Sequence, residues 1–361
     1  MKLRTSIRAV LLAALFMSLS ASAGIYAFQQ APPGPQKPVP PSPQSMPPQT
    51  PPATAQEAQP GPETAITVES ALVNLDVLVT DQDGRVLGGL KRENFRVLDD
   101  GKPQPITNFA TPQAPITIVM LLEYSGIAYD YFAYKGAYWG TGFLKYLDPQ
   151  DWVALVPYDM KPNIAVDFTH NKAAILDALQ RLSYPSFREA NLFDAVVDTL
   201  DRLERIKGKK SILIISTGAD TFSEHTLDQT LRRLKEADIT VFSVGVAERE
   251  YMNAGNGLSY SQAKNQLATF AKMTGGHSWF PRFDGELPSI FQSVAAFLRN
   301  QYRIGFSPEN LPHDGKYHRL KVEIVDAGGK PLVVTNEKGK RRKVEIYARE
   351  GYVDTKQLGK K

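Results

Sequence analysis

The sequence predicts an α/β fold. A doubly wound, mostly parallel sheet is inserted in a small composite β domain formed by its N- and C-terminal flanks. Three observations carry this reading. Residues 116–122 form an almost unbroken apolar, largely β-branched run. A strand buried on both faces of a parallel sheet reads this way, whereas a half-exposed strand alternates. From there to residue 300, apolar runs alternate with helical spacing, which is the rhythm of βα units. On either side lie only short strand-like runs with Gly-containing turns. Neither set is long enough to form a stable sheet alone, so the two are expected to pair.

The leading flank contains Val68, Leu72, Leu75, Val77 and Val79, followed by the turn signal Asp81-Gln-Asp-Gly84. Residues 95–98 read as another strand, closed by Asp99-Asp-Gly101, with a short helical turn near residues 90–94. Within the α/β portion, strand 116–122 leads into a helix to about residue 147, then strand 152–156 and an edge strand at 163–168. Ile175, Leu179 and Leu182 place a helix over 171–182, with Asn171 as its N-cap. Leu192, Val196, Leu200 and Leu203 mark one face of a helix over 191–206. A buried strand follows at 209–215, a helix at 223–237 and a strand at 239–246. Helix 262–273 ends at Gly275-Gly276, as a C-terminal glycine dictates. A short strand at 277–280 and a helix at 287–300 complete the unit. Strands are then expected at 302–307, 317–325, 331–334 and 342–347.

The N-terminus has the anatomy of a secretory signal. Lys2, Arg4 and Arg8 precede an apolar stretch from 9 to 19, and Ala21-Ser-Ala23 is a small-residue cleavage site. The mature chain is therefore expected to begin near Gly24, in the periplasm or outside the cell. A membrane enters only if the N-terminal segment stays uncleaved as an anchor. Residues 31–62 hold half of the 26 prolines and almost no charge. Such a segment buries too little apolar surface to offset its ordering entropy, and reads as an extended spacer. The expected organisation is thus signal 1–23, Pro-rich linker 24–63, β region 64–110, α/β domain 111–301, β region 302–352 and tail 353–361.

Charged residues make up 22% and the net charge is +4, which gives no case for nucleic acid. There is no cysteine, which excludes disulfides, thiolate metal sites and a cysteine nucleophile. No Gly-x-Ser-x-Gly elbow, Walker loop or dinucleotide glycine fingerprint is present. The five histidines lack ligand spacing beyond His313 and His318, and a structural or solvent role is expected for them. The basic run Lys338-Gly-Lys-Arg-Arg-Lys343 reads as a solvated turn.

Chemistry in an open α/β sheet collects beyond the carboxyl ends of the strands, near the reversal of strand order. Glu123, Ser125 and Gly126 end the run 116–122 and stand at that point. The stretch Val119-Met-Leu-Leu-Glu-Tyr-Ser-Gly126 resembles the first strand and loop of von Willebrand factor A (VWA) domains, where the loop reads Asp-x-Ser-x-Ser. The flanks resemble exported VWFA-related proteins of the acidobacterial type, through Phe95-Arg-Val-Leu98, Gln301-Tyr-Arg-Ile-Gly-Phe-Ser-Pro308 and Ala348-Arg-Glu-Gly-Tyr352. The resemblance implies a VWA/Rossmann-like sheet, a protein-interaction role and a metal-ion-dependent adhesion site. It places the ligand positions of that site at Glu123, Ser125, Ile127, Ala190 and Thr217. Glu123 is one methylene longer than Asp, and Ile127 and Ala190 carry no ligand oxygen, so a divalent cation such as Mg²⁺ is not expected. Asp194 and Asp220 are the possible substitutes.

The segment after Glu123 is rich in aromatics. Phe132, Trp139, Phe143 and Leu147 follow helical spacing toward the sheet, leaving Tyr131, Tyr134 and Tyr138 on another face. With Tyr124, these tyrosines are the expected partner-binding residues, because tyrosine supplies rigid amphipathic area. The expected function is a non-enzymatic exported binding module for a protein partner at the bacterial cell envelope, without a cofactor. The alternatives are an envelope hydrolase using a carboxylate pair around Glu123, or a purely structural envelope component.

Overall fold

The computed structural model describes residues 72–111, 115–126, 140, 142–182, 187–246, 260–308, 315–335 and 339–354. The expected signal, the Pro-rich linker, the tail and the aromatic ridge of Tyr131, Tyr134 and Tyr138 lie outside the described residues, as does Ile127. Among the described residues no helix is long and apolar enough to cross a membrane.

The leading flank supplies β1 (Val73–Asp81), β2 (Phe95–Asp99), β3 (Lys102–Gln104) and β4 (Ile106–Ala110). The α/β portion supplies strands β5 (Ile116–Glu123), β6 (Trp152–Tyr158), β7 (Val166–Thr169), β8 (Lys209–Ser216), β9 (Thr240–Gly245) and β10 (Ser278–Trp279). Its helices are α1 (Lys172–Arg181), α2 (Leu192–Glu204), α3 (Leu227–Glu236), α4 (Tyr260–Met273) and α5 (Leu287–Arg299). The trailing flank supplies β11 (Tyr302–Phe306), β12 (Tyr317–Ile324), β13 (Val334–Thr335), β14 (Arg341–Arg342), β15 (Val344–Tyr347) and β16 (Gly351–Val353).

The central sheet runs β10-β9-β8-β5-β6-β7. All its pairings are parallel except that of the edge strand β7 with β6. Every residue of β5 and of β8 is buried, which is why neither alternates in sequence. The pleat still sorts them. Ile118, Met120 and Leu122 pack with Ile175 and Leu179 of α1 and Phe291, Val294 and Leu298 of α5. Val119 and Leu121 pack with Val196 and Leu200 of α2, Leu234 of α3 and Leu267 and Phe270 of α4. Helices therefore cover both faces. Truncating one such side chain, Leu121→Ala for example, costs about 2–5 kcal/mol through lost transfer energy and a residual cavity. The chain goes from β5 outward to β6 on one side and reaches β8 on the other, so strand order reverses at the carboxyl end of β5.

Local signals set the helix ends. The Asn171 side chain accepts from the Ala173 and Ala174 amides and caps α1. Thr226 and Gln229 form a reciprocal capping box on α3. That helix starts at Leu227 rather than at the expected residue 223, because residues 223–225 are bonded to Asp194 and Asp220 instead. Gly275, at φ 82°, lets Gly276 return its amide to the Ala271 carbonyl and ends α4.

The flanks interleave. One antiparallel sheet runs β15-β1-β11-β4 and a second runs β16-β12-β2-β3. Each therefore joins strands that lie about 200 residues apart in sequence. Leu75, Val77, Phe95, Val97, Tyr302, Ile304, Val322 and Tyr352 form their shared core. The expected strand at 331–334 shrinks to β13, which among the described residues pairs with β14 alone. The β portion also meets the α/β portion: Leu78 joins the core beside α5, and the Tyr347 ring lies 5.6 Å from that of Phe297. Buried Asp76 accepts from Arg303 Nη1 at 3.1–3.2 Å, and Arg303 also reaches Asp238 at the start of β9. Lys209 donates to the Leu298 carbonyl, and burial lowers its ammonium pKa from 10.5 to about 8.

Candidate functional site

Three adjacent strands end together at the reversal point: β5 at Glu123, β6 at Tyr158 and β8 at Ser216. Their parallel register puts these terminal side chains within reach of one another. Glu123 is completely buried. Its Oε1 accepts from Ser125 Oγ at 2.8 Å. Its Oε2 accepts from Ser216 Oγ at 2.7 Å, the Thr217 amide at 2.7 Å and Thr217 Oγ1 at 2.8 Å. Tyr158 donates from its hydroxyl to Ser216 Oγ at 2.9 Å and extends the chain of bonds. Burial pushes the Glu123 carboxyl above its ordinary pKa, and the bonds from Ser216, Ser125 and Thr217 pull it back in part. The added methylene of Glu, relative to Asp, carries the carboxylate toward the end of β8.

Of the positions singled out in the sequence, Glu123, Ser125 and Thr217 thus form one hydrogen-bonded group. Ala190 is buried, in a loop tied to Thr221 by bonds from both backbones. Asp194 and Asp220 do not join Glu123 through any hydrogen bond. Asp220 Oδ1 accepts from the Phe193 amide at the start of α2 and from Ser223 Oγ. Asp194 accepts from the Glu224 and His225 amides, and its Oδ1 lies 2.7 Å from His225 Nδ1. Both acids therefore fix the 220–225 loop at the amino end of α2. Backbone bonds to Asp194 hold its carboxyl below the ordinary range against the cost of burial. Tyr124 is half-buried and its ring packs against the core. Its hydroxyl is buried with no hydrogen-bond partner among the described residues.

Two residues that the sequence reading passed over stand out on this face. Phe187 is 49% exposed and Phe222 is 68% exposed. The Phe187 carbonyl accepts from the Gly126 amide at 2.9 Å, which seats it directly on the loop after Glu123. Phe222 is clamped by buried Asn191: Oδ1 accepts from the Phe222 amide at 3.1 Å and Nδ2 donates to its carbonyl at 3.2 Å. Asn191 Nδ2 also reaches the Met160 carbonyl after β6, at 3.0 Å. The sequence signal was present, since each phenylalanine interrupts a polar loop, but spacing alone does not say which way a loop side chain points. Gly218 closes the turn after Thr217 at φ 81°, where an added Cβ would lie 2.5 Å from the Ala263 carbonyl oxygen.

Residues 141–291 match the family model of the von Willebrand factor type A domain. The match begins beyond the Glu123–Gly126 loop. Among solved structures, the chain is similar to the conserved hypothetical protein BatB from Bacteroides thetaiotaomicron, with 14% identity over 51% of this chain and 98% of that one, and a TM-score of 0.41. It is similar to an aerotolerance-related membrane protein from Bacteroides fragilis, with 11% identity, the same coverages of 51% and 98%, and a TM-score of 0.42. The vWF domain of the type V pili tip protein Mfa5 from Porphyromonas gingivalis gives 12% identity over 52% of this chain and 95% of that one, with a TM-score of 0.37. No curated protein matches the chain. The chain therefore contains a von Willebrand factor type A domain, built on a mixed and mostly parallel six-stranded sheet.

Proposed function

We propose that this chain is an exported, non-enzymatic binding module of the bacterial cell envelope. It recognises another protein through the carboxyl-end face of its VWA domain, without a divalent cation at the Glu123 position. One observation carries this reading: Phe187 and Phe222 are exposed on loops whose backbones are hydrogen-bonded to Gly126 and Asn191, at the end of the sheet where Glu123 is buried. Exposed aromatics on a pre-ordered face supply contact area at low entropic cost, and such residues dominate protein interfaces. VWA domains commonly serve as interaction or adhesion modules, which agrees with this use.

The residues present do not fit the family's cation. Mg²⁺ needs oxygen ligands in near-octahedral array. The Glu123 oxygens already accept four hydrogen bonds, and the Ser125 and Thr217 hydroxyls are spent on Glu123 itself. The Ala190 side chain offers no oxygen. Asp194 and Asp220, the possible substitutes, are committed to the 220–225 loop. The adhesion site is in this reading degenerate, its polar groups bonding locally. A hydrolase built on a carboxylate pair would need Asp194 or Asp220 to face Glu123, and both are instead bonded to the 220–225 loop and the amino end of α2.

The test is capture from envelope extract with the full chain as bait. A discrete protein should be retained equally in EDTA and in Mg²⁺. A Phe187→Ser, Phe222→Ser double variant, unfolding at the same denaturant concentration as wild type, should lose it. Retention that needs Mg²⁺, or that survives the double variant, would contradict the proposal.

A further inference from the structure

We propose that the β portion carries a divalent transition-metal site, built by Asp99, Asp100 and His318, that takes Zn²⁺. The site lies in the sheet β16-β12-β2-β3 and is independent of the recognition face.

The fold assembles it from three strands. β2 ends at Asp99, and the chain turns sharply through Asp100 at φ 46° and Gly101 at φ 81°. A left-handed Asp is uncommon, and its short polar side chain is what tolerates it. This turn aims two consecutive acids the same way, although consecutive strand residues ordinarily point to opposite faces. β12 brings His318 across from the other flank, and β16 places Tyr352 beside it in register.

The ligand atoms converge. Asp100 Oδ2 is 3.0 Å from His318 Nδ1, and Asp99 Oδ1 is 3.7 Å from the same nitrogen. All three lie within 4.8 Å of one another. Around a Zn²⁺ with bonds of about 2.1 Å, neighbouring ligands sit roughly 3.0–3.4 Å apart, depending on coordination number. The observed separations need only small side-chain adjustments to meet that.

A second observation points to a cation ligand at Asp99. Asp99 is 7% exposed, and its Oδ1 has no hydrogen-bond partner among the described residues. A buried carboxylate oxygen without a donor is costly. Burial raises the Asp99 carboxyl pKa, although the hydrogen bond from Tyr352 and the charge of His318 pull it back in part. The other Asp99 oxygen accepts from Tyr352 at 2.9 Å, and the Tyr352 ring stacks on the His318 ring at 5.1 Å and 17°. Asp100 Oδ1 accepts from the Arg319 amide at 2.9 Å. These are outer contacts of the kind that orient metal ligands. The Asp100 side chain is 51% exposed, so water can complete the coordination. An imidazole among the ligands favours Zn²⁺ over Mg²⁺ or Ca²⁺.

The full chain, stripped with chelator and desalted, is titrated with Zn²⁺ by calorimetry and with Co²⁺ by visible absorption. One saturable Zn²⁺ per chain is expected, together with ligand-field bands from Co²⁺. His318→Gln and Asp99→Asn should each weaken Zn²⁺ binding by at least roughly tenfold, since each removes a ligand. Tyr352→Phe, which removes only an outer donor, should weaken it by about tenfold. His225→Gln, which disrupts the separate Asp194–His225 pair, should leave it unchanged. Absence of saturable Zn²⁺ binding, an unchanged affinity in His318→Gln, or a loss in His225→Gln instead would overturn the site. Should His318→Gln fail to fold, wild-type chain without Co²⁺ bands overturns it equally.

Discussion

Replacing Glu123 tests how the carboxyl end of the sheet is held together. Glu123→Ala removes one buried methylene, worth about 0.8 kcal/mol, and leaves its hydrogen-bond donors without an acceptor. The hydroxyls of Ser125, Ser216 and Thr217 can rotate to other partners. The Thr217 amide cannot, and a buried unsatisfied amide costs about 1–3 kcal/mol. With the cavity left behind, the loss should reach about 3–5 kcal/mol. Glu123→Gln keeps the volume and one acceptor. Its carbonyl can take the three Oε2 bonds, while its amide group donates to Ser125 Oγ, whose hydroxyl reorients. That change should cost within about 1 kcal/mol. Because burial holds the Glu123 carboxyl above its ordinary 4.5, the folded chain keeps that proton longer than the unfolded one. Wild type should therefore lose stability relative to Glu123→Gln as pH rises through the raised value. Urea unfolding followed by circular dichroism measures all three chains, with a common slope as the check on a common unfolded state. An Ala variant within about 1 kcal/mol of wild type, or a Gln variant as damaged as Ala, would refute the hydrogen-bond argument.

Other consequences follow from single contacts. Asn191→Ala unclamps Phe222 and Met160 and should cost about 1–2 kcal/mol, read by denaturant unfolding, because it removes three hydrogen bonds made by a buried side chain to partly buried backbone groups. Lys209 has a folded pKa of about 8 against 10.5 when unfolded. The unfolded chain thus binds more protons between those values, and this group's contribution to stability should rise with pH across that window. Thermal melts of wild type against Lys209→Met should diverge there, and parallel curves would contradict it.

Much of the fold is legible because burial writes itself into composition. Residues 116–122 and 209–215 read as doubly covered strands, and both are buried throughout. Helical spacing on 192–203 names the face that packs, since Leu192, Val196, Leu200 and Leu203 are all buried. The candidate site was less legible. Glu123 reads as the acid of a ligand loop, yet its direction depends on Ser216 and Thr217, some 93 residues later. The start of α3 was misplaced because Asp194 and Asp220 hold residues 223–225 out of the helix, a tertiary contact that no local pattern carries. Asp99 and His318 are 219 residues apart, and only the interleaving of the two flanks brings them together.

The measurement that bears most directly on the central claim is site-specific photocrosslinking in the producing cell. A photoreactive phenylalanine analogue at position 222 sits on the carboxyl-end face, where Phe222 is 68% exposed. The same group at position 152 sits at the amino end of β6, where Trp152 is 42% exposed. The account predicts a discrete protein adduct from position 222, undiminished by EDTA, and none from position 152. No adduct from position 222, equal adducts from both positions, or an adduct at 222 that disappears on chelation and returns with Mg²⁺ would contradict it.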